Sequence, residues 1–370
     1  MRFIPLSVLI LAVALPGSAP GLDLGGELRI HGGGLYSENE LLVSYSGRGE
    51  LELFFPESET VETRLVFRAA LTETGVLPDI KYMYIRPLTG WGHITAGRQP
   101  VFWSYGAVLN LMDFGLGIED LAEETFRTGV DGVRVHRALG GGRSLQLAVS
   151  VHEFAGLSPG DMGYGTRLRL PGRGYDLSFN LLWQPVFFPV LPEADDRLIR
   201  AGGTFSTDAG GVGVYGALGY FHLRDNGESD LMAQAGTDYS WVIGGRPLIF
   251  QAEYFRFLEN NLSAGLLAGL LTGGGTLEDL WLEEEGYHFR LGDMLLGSDL
   301  LLISLVLRPD FFTDLGVLLL AETENRSVAL SPYYITEMGN GLELRFYGNL
   351  SRDTEENYAA GLFSAFYYYF

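Results

Sequence analysis

The 370-residue chain has no cysteine, which excludes thiolate metal sites, disulfide frameworks and cysteine nucleophiles. Any chemistry has to come from serine, histidine, carboxylates and arginine. The six histidines are His31, His93, His136, His152, His222 and His288. Ser150 and His152 stand on one face of an alternating segment, with His136 on the segment before it. A hydrolase needs such a pair plus a carboxylate or amide at the same place. Ser150 and His152 are ~7 Å apart along an extended chain, and no third partner stands beside them, so catalysis is not expected. Glu278, Asp279, Glu283, Glu284 and Glu285 crowd around Trp281. Carboxylates so close could ligate a divalent cation, but their spacing matches no calcium loop and reads more simply as a solvated acidic face. No metal or cofactor site is predicted.

Arginine forms the remaining set. Arg64, Arg68, Arg134, Arg167, Arg169, Arg200 and Arg345 all occupy polar positions of alternating segments. They form either a basic ladder that orders a field along an enclosed lumen, or one half of ion pairs with acids such as Glu50, Glu52, Asp176, Asp238, Glu253 and Glu343. Both alternatives place the arginines away from lipid, where Arg costs roughly 2–4 kcal/mol at the bilayer midplane.

The elements holding these residues alternate with period two. In Gly341–Leu350, Leu342, Leu344, Phe346 and Leu350 share one face, opposite Glu343, Arg345, Tyr347 and Asn349. Tyr175–Gln184 and Ser144–His152 repeat the pattern. The segments are ~10 residues long, enough to cross a bilayer at a tilt, and Tyr and Trp lie near their ends as interfacial girdles require. Eighteen such segments can be counted, with sixteen as the alternative. Every second connection is short and turn-like, as at Gly244-Gly245 or Met338–Asn340, whereas the long connections, at about 99–128, 185–196 and 259–286, all fall between the others. The expected fold is therefore all-β: a transmembrane, antiparallel, up-and-down β-barrel in one domain over residues 20–370. The apolar run Leu262–Leu271 reads as a short helix over the barrel mouth.

Composition agrees with that class. There are 51 Gly residues, 13% aromatics and only 19% charged residues, and the 25 bases against 46 acids give a net charge of −21. Such a balance argues against nucleic-acid partners. Residues 1–19 carry Arg2, an uncharged stretch from Leu6 to Leu15 and Pro16-Gly17-Ser18-Ala19, the pattern of a secretory signal peptide.

Two stretches go further. The chain ends in an aromatic alternation with Phe366, Tyr368 and Phe370 on one face, which resembles the C-terminal assembly signal of bacterial outer-membrane porins. Gly97-Arg98-Gln99, then Trp103, Tyr105-Gly106 and Asp113, then Gly129–Val135, resemble outer-membrane channels of the porin and alginate-export-like type. The resemblance implies an outer-membrane location, contact with lipid and with the barrel-assembly machinery, and passive diffusion of small hydrophilic solutes. It leaves open a homotrimer, and a barrel hydrolase or a structural or adhesive barrel is the alternative function.

The long segment Pro100–Thr128 is expected to fold into the barrel as a constriction, because its apolar side chains, Trp103 and Tyr105 among them, need burial. Its Asp113, Glu119, Asp120, Glu123 and Glu124 would then face the opening, opposite the arginines. An outer lid or a latch to a neighbouring barrel would use the same aromatics. Acidic connections at the mouth predict a modest cation preference at low salt.

Overall fold

The computed structural model describes residues 23–37, 40–55, 60–72, 75–101, 103, 112, 130–151, 162–187, 195–224, 227–259, 299–323, 326–352 and 358–370. Its strands are β1 (Asp23–Ser37), β2 (Glu40–Phe54), β3 (Val61–Thr72), β4 (Gly75–Thr89), β5 (Gly92–Gln99), β6 (Val130–Gly140), β7 (Arg143–Val151), β8 (Met162–Pro171) and β9 (Tyr175–Phe187). The second half contributes β10 (Asp195–Ala209), β11 (Val212–Leu223), β12 (Ser229–Ile243), β13 (Arg246–Phe257), β14 (Asp299–Asp310), β15 (Thr313–Ala321), β16 (Val328–Gly339), β17 (Leu342–Arg352) and β18 (Tyr358–Tyr369). Each strand pairs antiparallel with its neighbours in sequence, and β1 also pairs with β18, so the eighteen strands close into a barrel. Eighteen replaces the alternative of sixteen. The least regular candidate, 287–308, becomes β14, which starts at Asp299.

Closure removes the free edge that an open sheet would leave, and the seam is zipped at its end by the last residue. Gly26 N donates to Phe370 O and Phe370 N to Gly26 O, both at 3.0 Å. Alternation assigns the faces. Phe346 and Leu350 are 45% and 55% exposed, and Leu362 and Phe370 lie on the same outward side, whereas Glu343, Arg345, Tyr347 and Asn349 are buried inside.

The hairpin turns after the even-numbered strands gather at one end of the barrel, where β1 starts and β18 ends, and the long connections gather at the other, beside the two-residue connections after β1 and β3. Gly244-Gly245 shows why the turns are so tight: both residues hold positive φ, 61° and 80°, as a two-residue hairpin turn of this hand requires. Outward aromatics ring each end. Trp91, Tyr175, Trp241 and Phe312 lie near the turns, and Tyr36, Trp183, Tyr220 and Tyr358 near the long connections. On β9, Tyr175 and Trp183 are eight residues apart, ~26 Å along the strand and ~20 Å along the barrel axis at the usual tilt. That is close to the height of a membrane-facing apolar band. No helix among the described residues is long and apolar enough to cross a membrane; here the strands do the crossing.

Candidate functional site in the barrel lumen

The inner wall near the turns is charged, and it is built mostly by β1–β4. Arg64 Nε donates to Glu52 Oε1 at 2.7 Å, Lys81 Nζ to Glu50 Oε2 at 2.8 Å, and Arg86 Nη1 to Glu62 Oε2 at 2.7 Å. Arg29 pairs with Glu27. A cavity of about 370 Å³ opens among Glu27, Arg29, Glu50, Glu52, Arg64 and Lys81. Lys81 points inward together with its neighbour Tyr82 because the β3–β4 register shifts between Val66 and Phe67, which leaves one extra residue on β4. Such a bulge re-aims a side chain that strict alternation would turn to lipid.

The other arginines expected in the ladder also face inward. Arg169 Nε donates to Asp176 Oδ2 at 2.6 Å, Arg345 pairs with Glu343, and Arg200 donates to Gln184. Arg134 Nη1 donates to the Pro100 carbonyl at 3.2 Å, Arg167 is buried, and Arg68 faces Asp79 in register. At the seam, Tyr367 takes two cations on its ring. Arg29 from β1 lies 5.0 Å and Arg345 from β17 3.9 Å from its centre.

Trp103 and Met112, two described residues of the long segment after β5, lie inside the barrel. Trp103 is fully buried, and its Nε1 donates to Gln146 Oε1 on β7 at 2.9 Å. Gln146 is level with His136 and His93 across the ladder, six residues nearer the turns than Gln99, where the chain leaves the wall. Six residues are ~20 Å of strand. Trp103 therefore lies back down the lumen from Gln99. Met112 reaches β11: a Cβ added to Gly219 would stand 2.8 Å from its Sδ. β7 and β11 are four strands apart, ~19 Å of wall, so the two anchors lie on well-separated parts of the circumference.

The lumen changes character along its length. Near the turns, Glu62 and Arg64 keep 43% and 40% of their side-chain surface exposed. Near the long connections the inward side chains Leu182, Leu198, Phe221, Met232, Phe255 and Leu302 are almost fully buried, in one apolar cluster with Val101, Trp103 and Met112. Walls of an eighteen-strand barrel are too far apart for their side chains to cover one another, and Val101, Trp103 and Met112 pack on this stretch of wall from inside.

Among the described residues, the hydrolase candidates Ser150 and His136 do not come together. Ser150 is inward and buried, but Gly132 is its register partner, and His136 lies four residues further along β6, ~13 Å away. His136 instead stacks on His93 with ring centres 4.6 Å apart. Sequence reasoning missed Glu27, Arg29, Arg48, Glu62, Lys81 and Arg86. Glu27 and Arg29 share the parity of Glu50 and Glu52 across β1–β2 and could have been found that way. Lys81 carries no such signal because of its bulge. Arg98, noted only as part of a motif, faces outward and is fully engaged: it grips Asp131 through Nε and Nη2 at 2.6–3.2 Å and donates to the Ile80 carbonyl at 2.8 Å. Tyr105, Asp113, Glu119, Asp120, Glu123, Glu124, His152, Leu262–Leu271, Glu278–Glu285 and residues 1–19 lie outside the described residues.

No protein-family model matches this sequence, and no curated protein matches it. Solved structures do. OccK11 (OpdR) of Pseudomonas aeruginosa is 10% identical with a TM-score of 0.56, over 94% of this chain and 96% of its own. OccAB4 of Acinetobacter baumannii is 8% identical with a TM-score of 0.54, over 94% and 98%. OmpT, an outer membrane protein of Vibrio cholerae in its trimer form, is 9% identical with a TM-score of 0.50, over 94% and 99%. The shared property is the fold: an outer-membrane-type β-barrel along nearly the whole chain.

Proposed function

We propose that the protein is a channel of the bacterial outer membrane through which small hydrophilic solutes diffuse passively, narrowed by the segment that follows β5. The observation that carries this reading is a closed eighteen-strand barrel with an apolar belt outside and charged pairs within, because a barrel of this size encloses a lumen wider than its own side chains can fill. The burial of Trp103 against Gln146 and of Met112 against Gly219 supports the inward course of the constriction. Asp113, Glu119, Asp120, Glu123 and Glu124 then supply acids opposite Arg64, Arg68, Arg134, Arg167, Arg169, Arg200 and Arg345. Residues 1–19 serve as the export signal, Phe366, Tyr368 and Phe370 are read by the assembly machinery, and a homotrimer is the assembly we expect. No step of catalysis is assigned to the lumen.

Purified protein reconstituted in planar bilayers should give discrete, ohmic conductance steps, and should migrate differently on gels before and after boiling. A silent bilayer containing folded, heat-modifiable protein would overturn the channel.

A further inference from the structure

A second feature lies on the outside of the barrel, where no solute passes. A transverse row of outward residues crosses the closing seam near the long connections. Tyr36 on β1 faces Ala360 on β18, Ala360 faces Leu350 on β17, and Leu350 faces Leu330 on β16. Two residues nearer the turns the row reads Gly34, Leu362 and Gly348. Small residues between bulky ones leave a groove, a cavity of about 530 Å³ lined by Tyr36, Val328, Leu330, Leu350, Arg352 and Tyr358.

The groove is apolar along its length and basic at its outer end. Arg352 faces Val328 in register, and its guanidinium lies 6.0 Å from the centre of the Tyr358 ring. Arg326, two residues before Val328, is exposed and holds a φ of 61°, a left-handed conformation that non-glycine residues seldom adopt. Cross-strand and along-chain spacings put the two arginines within ~12 Å of each other, a span that one phosphorylated headgroup can bridge. In a membrane barrel the long connections are outside, so this end of the groove opens at the outer leaflet, and the Tyr36 and Tyr358 rings mark the interface.

We propose that the groove is a specific site for an outer-leaflet lipid, with one acyl chain lying over Ala360 and Leu350 and its headgroup phosphate bound by Arg352 and Arg326. The inference rests on the membrane-spanning reading of the barrel, not on conductance. Asp353, Glu355 and Glu356 follow Arg352 in sequence and oppose an anion, so magnesium belongs in the assay.

The test is native mass spectrometry of the full chain in detergent micelles with magnesium, supplied with diphosphoryl lipid A or with phosphatidylcholine at equal acyl-chain concentration. One lipid A per chain should be retained, at least tenfold over phosphatidylcholine, and should raise the midpoint of heat-modifiable unfolding. Arg326→Gln with Arg352→Gln should abolish the preference, and Ala360→Trp should remove retention by filling the groove, with both variants still heat-modifiable. Equal retention of the two lipids, or undiminished lipid A on the double variant, would overturn the proposal. So would loss of oligomers in Ala360→Trp with lipid retention intact, which would make the groove a contact between copies of this chain. A protein that stays dispersed without detergent would instead refute the membrane reading itself.

Discussion

Lys81 and Glu50 give the sharpest energetic prediction. Their side chains are each only 9% exposed, with Nζ 2.8 and 3.1 Å from the two carboxylate oxygens. Lys81 reaches that position only because of the β4 bulge, and its ammonium also lies 5.7 Å from the centre of the Tyr82 ring. Removing one partner of a buried pair strands the other charge and costs about 3–5 kcal/mol, whereas replacing both by apolar groups of similar volume is near neutral. Lys81→Met should therefore destabilise the barrel by about 3 kcal/mol or more. Adding Glu50→Leu should return most of that loss, although the lost cation–π contact, worth about 0.5–2 kcal/mol, leaves a remainder. Equilibrium unfolding in urea with liposome-inserted protein reads both, as midpoint shifts at constant slope. A cost below about 1 kcal/mol for Lys81→Met, or a double variant no better than the single, would show that water from the adjoining cavity solvates the pair.

Other consequences follow from the same geometry. Trp103→Ala removes a fully buried indole and its bond to Gln146. Single-channel recordings should show larger, noisier steps, from a barrel made less stable by the cavity left against the wall cluster. Tyr367→Leu takes away the ring shared by Arg29 and Arg345 at the seam. It should cost about 2 kcal/mol or more, read as a lower temperature for loss of the compact gel form. Arg64→Gln combined with Arg169→Gln leaves Glu52 and Asp176 without their partners near the open end of the lumen. Reversal potentials in a salt gradient should move toward cations at low ionic strength, and the change should fade near 1 M salt, where the Debye length is about 3 Å.

The barrel was legible in the sequence because one face of every strand meets lipid. That constraint fixes parity, and parity placed Phe346, Leu350 and Leu362 outside and Arg345 inside from spacing alone. Turn chemistry made the ends legible too, since Gly244-Gly245 and Asn340 supply the positive φ values that tight hairpins need. What escaped was whatever depends on register rather than parity. The bulge that turns Lys81 inward is invisible until β3 and β4 are paired. The grip of Arg98 on Asp131 is cross-strand, between residues separated by a long segment, so Gly97-Arg98-Gln99 and Gly129–Val135 read as a motif without a reason. Counting inward arginines likewise could not show which acid each one meets. Arg345 pairs within its own strand, whereas Arg64 and Arg169 each meet an acid across a hairpin, Glu52 and Asp176. The apolar lining near the long connections needed more than parity: Leu182 shares the inward face of β9 with Ser178, Asn180 and Gln184, and only the packing of Val101, Trp103 and Met112 shows why an apolar side chain stands there.

The central claim is that chain folded into the lumen, anchored at Trp103 and Met112, limits the passage. Single-channel conductance of a variant lacking residues 109–123, beside the full-length protein in the same bilayer and salt, tests it most directly. A severalfold larger step from a variant that still migrates as a folded barrel is the predicted result. An unchanged step from that folded variant would contradict the account.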